Sequence, residues 1–142
     1  MIKPTKSMSV VQLDEKLPLL NKIFSMADLM AYGAATWDWH RLHYDIDFAR
    51  SMKLPNAVID GQAFGALFAR VVVDWAGPLS FIERLSFKMK LMAFAGETLH
   101  VEGEVTQIRS RTVVVAQRVT SGGRVVSEAE TEVRLPASTS PA

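Results

Sequence analysis

The chain has no cysteine, which excludes disulfides, thiolate nucleophiles and zinc–thiolate sites. It has almost no net charge. Sixteen Lys and Arg stand against fifteen Asp and Glu, a formal +1, so nothing in the balance points to nucleic acid or an anionic membrane as partner. Long apolar runs are also missing. The most apolar stretch, Ala63 to Val73, is interrupted by Arg70 and is too short to span a bilayer. The first twenty residues carry Lys3, Lys6, Asp14, Glu15 and Lys16, with no continuous apolar run before Leu17, unlike a secretory signal. A soluble cytoplasmic protein is the expectation. No internal repeat is visible. What is there is 142 residues, 49% of them apolar, enough for one domain with one core and too few for two.

The stretch Trp37-Asp38-Trp39-His40-Arg41-Leu42-His43-Tyr44-Asp45-Ile46-Asp47-Phe48-Ala49 concentrates the chemistry. It packs carboxylates, imidazoles and a guanidinium among aromatic and aliphatic side chains. On one regular helix Asp38 and His43 would point about 140° apart. They converge only if the helix ends between them and the chain turns. Asp45 then suits the N-cap of a short helix from Ile46 to Ser51, with Asp47 in its first turn. An Asp–His pair held on such a connection can position a water and move protons to and from it. The alternative is a polar corner in which both side chains only satisfy loose backbone groups.

Met1 to Lys16 lacks periodicity and is expected along the surface as an N-terminal extension. Leu17 to Phe24 reads as a first strand, with Pro18 suited to its start. Ser25 and Asp28 have the spacing of a capping box, and the helix after them places Met26, Leu29, Met30 and Gly33 on one stripe. Leu54-Pro55-Asn56 breaks the chain before a second helix, Gly61 to Trp75, apolar nearly all round. Its polar stripe is Gln62, Ala66, Arg70 and Asp74, so protein should enclose it on most sides. Gly61, Gly65 and Ala69 form another four-step stripe where a second backbone could approach. From Phe81 the period becomes two. Phe81, Leu85, Phe87 and Met89 alternate with Ile82, Arg84, Ser86 and Lys88. Ala95-Gly96-Glu97 and Ser121-Gly122-Gly123-Arg124 read as turns, and the strand after the second sets Val125, Ala129, Val133 and Leu135 on one face. Residues 137–142 read as a disordered tail. A buried helix followed by four antiparallel strands is an α+β arrangement, a sheet wrapped round one helix.

Over roughly residues 17–136 the chain resembles the MaoC-like, (R)-specific enoyl-CoA hydratases of the hotdog fold. The likeness rests on Asp38, His43, Tyr44-Asp45 and Phe48-Ala49, then Val58-Ile59-Asp60-Gly61 opening the helix. Leu85-Ser86-Phe87-Lys88 on a strand and Ala95-Gly96-Glu97-Thr98 at a turn complete it. Two positions depart from the usual pattern. His40-Arg41 stands where many members have Asn-Pro, a variant familiar among fungal-type and dicarboxyl-CoA members. Ala69 stands where some carry a supporting Ser. The run Val73-Asp74-Trp75-Ala76-Gly77-Pro78 also resembles small MaoC-like subunits of sterol side-chain breakdown, some of which work in heteromeric complexes.

The resemblance implies reversible hydration of a 2-enoyl thioester of coenzyme A or acyl-carrier protein to an (R)-3-hydroxyacyl thioester. It implies that Asp38 acts as the base, His43 as the proton donor to C2, and the Gly61 N–H as the oxyanion donor at a helix start. No metal or separate cofactor is expected; coenzyme A enters as part of the substrate. Trp37, Trp39 and Phe64 are candidates for an acyl pocket. His40 is a candidate for tuning the site, and Arg41, Arg50, Lys53 and Arg84 for binding nucleotide phosphates. His100 should be solvated. One such sheet leaves edge strands that need pairing, so a homodimer or larger oligomer, or a heteromer with a related hotdog chain, is expected. Two other activities compete. A hotdog thioesterase would want an acid on the central helix, where Asp74 lies near the far end. A non-catalytic or half-site subunit would need a partner to complete its tunnel.

Overall fold

The computed structural model describes residues 4–137. All but the first residue of the expected C-terminal tail lies outside them. The elements run β1 (Leu20–Ile23), α1 (Met26–Thr36), a 3-10 turn (Arg41–His43), α2 (Ile46–Ser51), α3 (Gln62–Ala76), β2 (Phe81–Met89), β3 (Thr98–Ile108), β4 (Thr112–Ser121) and β5 (Arg124–Arg134), with a short 3-10 turn at Met8–Val10 before them. The strands form one antiparallel sheet in the order β1-β3-β4-β5-β2, and α3 packs against β2, β3, β4 and β5. This is the hotdog fold, α+β, a sheet wrapped round a central helix.

The core follows from the apolar girdle of α3. Phe64, Leu67, Phe68, Val71, Val72 and Trp75 are all buried, while Ala66, Arg70 and Asp74 face solvent, as the four-step polar stripe requires. Facing them are Leu99, Val101, Val105, Val113, Val115, Val119, Val126 and Val133. Each fully buried aliphatic of this kind contributes about 1.5–3 kcal/mol. One polar link crosses the interface. Gln117 Nε2 donates to the Phe68 carbonyl at 3.0 Å and Thr131 Oγ1 donates to Gln117 Oε1 at 2.7 Å, so neither buried side chain is left unsatisfied. Gly77 closes α3 with φ +96°, and the turn joining β4 to β5 uses Gly122 and Gly123 at φ +54° and +77°, where side chains are disfavoured.

Several expectations change. The first strand is shorter than Leu17–Phe24, because Pro18 has no N–H for the ladder. Leu17 instead donates its own N–H to Gly103 and buries its side chain over that glycine. A bulge between Ile82 and Arg84 shifts the alternation of β2. Ile82, Leu85 and Phe87 therefore share the half-buried face, and Phe81 and Met89 are exposed. A second bulge, at Val119/Thr120, buries Val126 fully where Val125 was expected. Among the described residues, the nearest neighbours of Gly61 and Gly65 are side chains rather than a second backbone. A Cβ on Gly61 would meet Met89 Sδ at 1.7 Å, and one on Gly65 would meet the Phe87 ring at 2.8 Å. Side chains of β2 fill those notches.

The N-terminal residues form a strap under the far end of α3. Lys6 N–H bonds to the Ala76 carbonyl at 2.7 Å, and Trp75 Nε1 donates to Glu15 Oε1 at 2.9 Å. No helix among the described residues is long and apolar enough to cross a membrane.

Candidate active site

Three local signals build the site. Ser25 caps α1, its hydroxyl accepting the Asp28 N–H at 3.1 Å while the Asp28 carboxylate takes the Ser25 N–H at 2.9 Å, the reciprocal pair expected of a capping box. Helix α1 ends at Trp37, which adopts a left-handed conformation (φ +59°), and the Trp37 and Asp38 N–H groups both return to the Gly33 carbonyl. Gly33 is buried, and a Cβ there would lie 2.8 Å from the Asp38 carbonyl oxygen, so the chain can fold back over it only because it is glycine. Asp45 then caps α2, its Oδ1 accepting the Phe48 N–H at 2.9 Å.

Between those caps the Asp38 carboxylate accepts the His40 N–H at 3.1 Å. His43 Nδ1 donates to the Val58 carbonyl at 2.8 Å, which leaves Nε2 for chemistry. The Val58 N–H in turn donates to the Leu42 carbonyl at 2.8 Å. The segment entering α3 is thereby clasped to the 3-10 turn at two points, and Asp38 and His43 come together. Each offers an atom within 4.8 Å of the other and of Asp60. Leu29, Tyr32, Gly33, Asp38, His43, Asp60 and Ala63 line the narrow pocket around them.

Asp60 was not among the residues expected in the site. It is buried; its Oδ1 accepts the Gln62 N–H at 2.9 Å, and its Oδ2 has no hydrogen-bond partner among the described residues. The sequence signal was a lone carboxylate ending the apolar run Ala57-Val58-Ile59, directly before Gly61. Tyr32 was also missed. It lines the pocket, and burial, reinforced by the Asp60 charge, pushes its phenol above the usual range. Two carboxylates and an imidazole at this spacing can hold and reprotonate one small polar molecule.

The other expected residues divide. Gly61 is the N-cap of α3 with φ −61°, beside Asp60, and no described residue accepts its N–H. Phe64 is core, 2% exposed, because it faces the sheet from α3. Trp37, 80% exposed, packs edge-on against Trp39 and Trp39 against Tyr44, with ring centroids 6.0 and 6.3 Å apart. These aromatics lie outside the pocket lining. His40 is exposed, and its Nδ1 accepts the Leu42 N–H at 3.3 Å. Arg41 holds Asp45 Oδ2 through Nε and Nη2, at 3.1 and 2.8 Å, and lies over the Phe48 ring. Arg84 is exposed on β2 and Arg50 on α2; neither lines the pocket. His100 points outward and bonds to Asn21 Oδ1 at 2.6 Å.

With this geometry in view, the likeness to known proteins is specific. An (R)-specific enoyl-CoA hydratase of Aeromonas caviae is 28% identical over 123 residues, covering 82% of this chain and 90% of that protein. The solved structure of the (R)-hydratase from A. caviae involved in PHA biosynthesis superposes with a TM-score of 0.85 at 27% identity, over 89% of this chain and 98% of that one. The beta subunit of a 3-oxo-4,17-pregnadiene-20-carboxyl-CoA hydratase from Mycobacterium tuberculosis is 28% identical over 120 residues, covering 83% of this chain and 93% of that subunit. The family model for the MaoC-like domain matches residues 8–126, from the strap under α3 to the start of β5. The match thus takes in the Asp38–His43 connection, the start of α3 and most of the sheet, and the chain belongs to the MaoC-like domain family.

Proposed function

We propose that this chain is a hydro-lyase that reversibly adds water to 2-enoyl thioesters of coenzyme A or acyl-carrier protein, giving (R)-3-hydroxyacyl thioesters. The observation that carries the reading is the meeting of Asp38 and His43 beside the start of α3. A water held by the pair attacks C3. One of its O–H bonds breaks, the proton passes to the Asp38 carboxylate, and the C3–O bond forms. The π electrons move to C2, which takes the proton from His43 Nε2. Both additions come from the same side, so the hydration is syn. Charge developing on the thioester oxygen is met by the Gly61 N–H at the positive end of α3.

No metal enters this mechanism, and coenzyme A is present only as a handle of the substrate. The exposed Trp37, Trp39 and Tyr44 offer a surface for the acyl or pantetheine portion at the mouth. Arg41, fixed by Asp45, offers a cation for phosphate; Arg84, exposed on β2, is a second candidate. The relevant assembly is a dimer, of identical chains or with a related hotdog chain, since one relative is a beta subunit.

The test is loss of enoyl-thioester absorbance with crotonyl-CoA and a panel of longer, branched and steroid enoyl-CoAs. Hydration of any of them supports the proposal. Release of free coenzyme A without hydration points to a thioesterase. Activity that appears only with a co-purified partner identifies a half-site subunit.

A further inference from the structure

We infer that Asp60 is a third catalytic residue, holding the attacking water together with Asp38 and His43. The inference rests on the hydratase reading and extends it. A carboxylate oxygen buried without a partner is costly, by about 1–3 kcal/mol or more, and is retained where a bound molecule supplies the missing hydrogen bond. Asp60 Oδ2 is such an atom, at the pocket that Asp38 and His43 line. Its other oxygen is fixed by the Gln62 N–H, so the carboxylate cannot turn away without uncapping α3.

A water fits the spacing. The three side chains offer atoms no farther than 4.8 Å from one another, so one point can lie within about 2.8 Å of all three, the hydrogen-bond distance to water. The space between them has no room for a water-sized sphere at van der Waals contact, so a water there must sit at hydrogen-bond distance from its partners.

The roles then separate. Water has two protons: Asp38 accepts the one that is transferred, and Asp60 holds the other and so orients the lone pair towards C3. His43 donates its Nε2 proton, as the mechanism requires. A ring that donates from both Nδ1, to Val58, and Nε2 is an imidazolium, and the Asp38 and Asp60 carboxylates lie beside it. When the product leaves, the proton on Asp38 returns to His43 Nε2, which resets both groups, and Asp60 is unchanged at the end of the cycle. The new C3–O–H keeps the proton that it held.

Asp60→Asn keeps an oxygen for the Gln62 N–H and replaces the free oxygen by a donor. Assayed beside wild type and Asp38→Asn on the best enoyl-CoA, it should lower kcat at least tenfold, with KM within about threefold and an unchanged melting temperature. A kcat within threefold of wild type overturns the inference. If Asp38→Asn is inactive while Asp60→Asn is not, the hydratase reading survives and Asp60 alone is dropped. Crystallography of the wild-type protein at high resolution gives a readout independent of activity and of variant folding. An ordered water within hydrogen-bond distance of Asp60 Oδ2, an Asp38 oxygen and His43 Nε2 is expected. A dry site, or a metal ion at the centre, overturns the inference even if no enoyl-CoA is turned over.

Discussion

His43 and Val58 are joined by a 2.8 Å hydrogen bond from the imidazole Nδ1 to the main-chain carbonyl, across a separation of fifteen residues. The acceptor is backbone, which neither titrates nor rotates away. The bond therefore sets both the ring orientation and the nitrogen that remains for proton transfer. Because Val58 also donates its N–H to Leu42, the connection that carries Asp38 and His43 and the lead into α3 form one unit. Val58 is further bridged to Phe94, so the loop after β2 supports the unit from behind.

Removing either proton-transfer group should abolish most hydration while sparing the fold. Asp38→Asn and His43→Gln are each expected to reduce the hydration rate by at least about a hundredfold, the usual scale for a lost general acid or base. Both residues are only half-buried and lie outside regular helix and strand, so circular dichroism should be unaltered. Near-full activity in either variant removes the proposed mechanism. His40→Ala, whose side chain caps the 3-10 turn from the exposed side, should have a milder effect.

Gly33→Ala offers a test at a distance from the chemistry. The new Cβ would sit 2.8 Å from the Asp38 carbonyl oxygen. A backbone atom cannot swing aside as a side-chain tip can, so the connection must shift. Overpacking of this sort costs about 1–3 kcal/mol, and an ångström of misplacement in a catalytic group costs up to about a hundredfold in rate. Chemical denaturation and the hydration assay should therefore both respond. Gly61→Ala contrasts with it, since the obstacle is the tip of the exposed Met89 and Gly61 is right-handed. Its stability loss should stay below about 1 kcal/mol, less than the usual overpacking range. Met89→Ala in the same chain should recover that loss.

These contrasts also mark what could be read from the residues alone. Caps are local chemistry, so Ser25–Asp28 and Asp45 announced the helix starts that frame the site, and Gly122-Gly123 announced a hairpin. The girdle of α3 announced burial because its pattern spans four turns. Bulges at Ile82/Arg84 and Val119/Thr120 depend on the twist needed to wrap the sheet round α3, which no short window of residues encodes. The filling of the Gly61 notch by Met89 is likewise a pairing between distant elements. Asp60 stayed hidden for another reason. A carboxylate before a helix reads as a cap, and Asp60 does cap Gln62; only burial of its second oxygen distinguishes it.

Glu15 gives a pH test of the N-terminal strap. Burial pushes its carboxyl up, but hydrogen bonds from Trp75 Nε1, the Lys6 ammonium and the Gln12 N–H outweigh that and hold it below the usual value. A carboxyl lowered by folding adds stability above its unfolded pKa of about 4.5, lost as pH falls through the lower folded value. Wild type should therefore lose stability below about pH 4.5 more steeply than Glu15→Gln. Parallel curves in urea melts across that range would show that the strap contributes nothing through this charge. Asp28 and Asp45, lowered first by backbone hydrogen bonds from Ser25 and Phe48, act in the same direction and form the common background of both proteins.

The last expectation concerns assembly, and β2 carries it. This strand is nine residues long and, among the described residues, pairs only with β5, at one end of the sheet order. Its other edge presents unpaired backbone groups, a template for a further strand. Phe81, Met89, Leu91 and Met92 are exposed along and just beyond it, so pairing would cover apolar surface as well. The opposite edge is blunter, because β1 has four residues and Pro18 precedes it. Closed two-fold pairing is the commonest solution for a soluble homo-oligomer, and β2 against a second β2 would extend the sheet into a continuous ten strands, five from each copy. A dimer is therefore expected as the smallest stable unit, with identical or related chains. Light scattering at micromolar concentration checks it, and Phe87→Pro supplies the control. Phe87 packs against Phe68, with ring centroids 6.2 Å apart, so this variant should lose both assembly and stability. Leu91→Lys, on the exposed apolar surface just beyond β2, should weaken assembly alone. A monodisperse, fully active monomer would sink the idea.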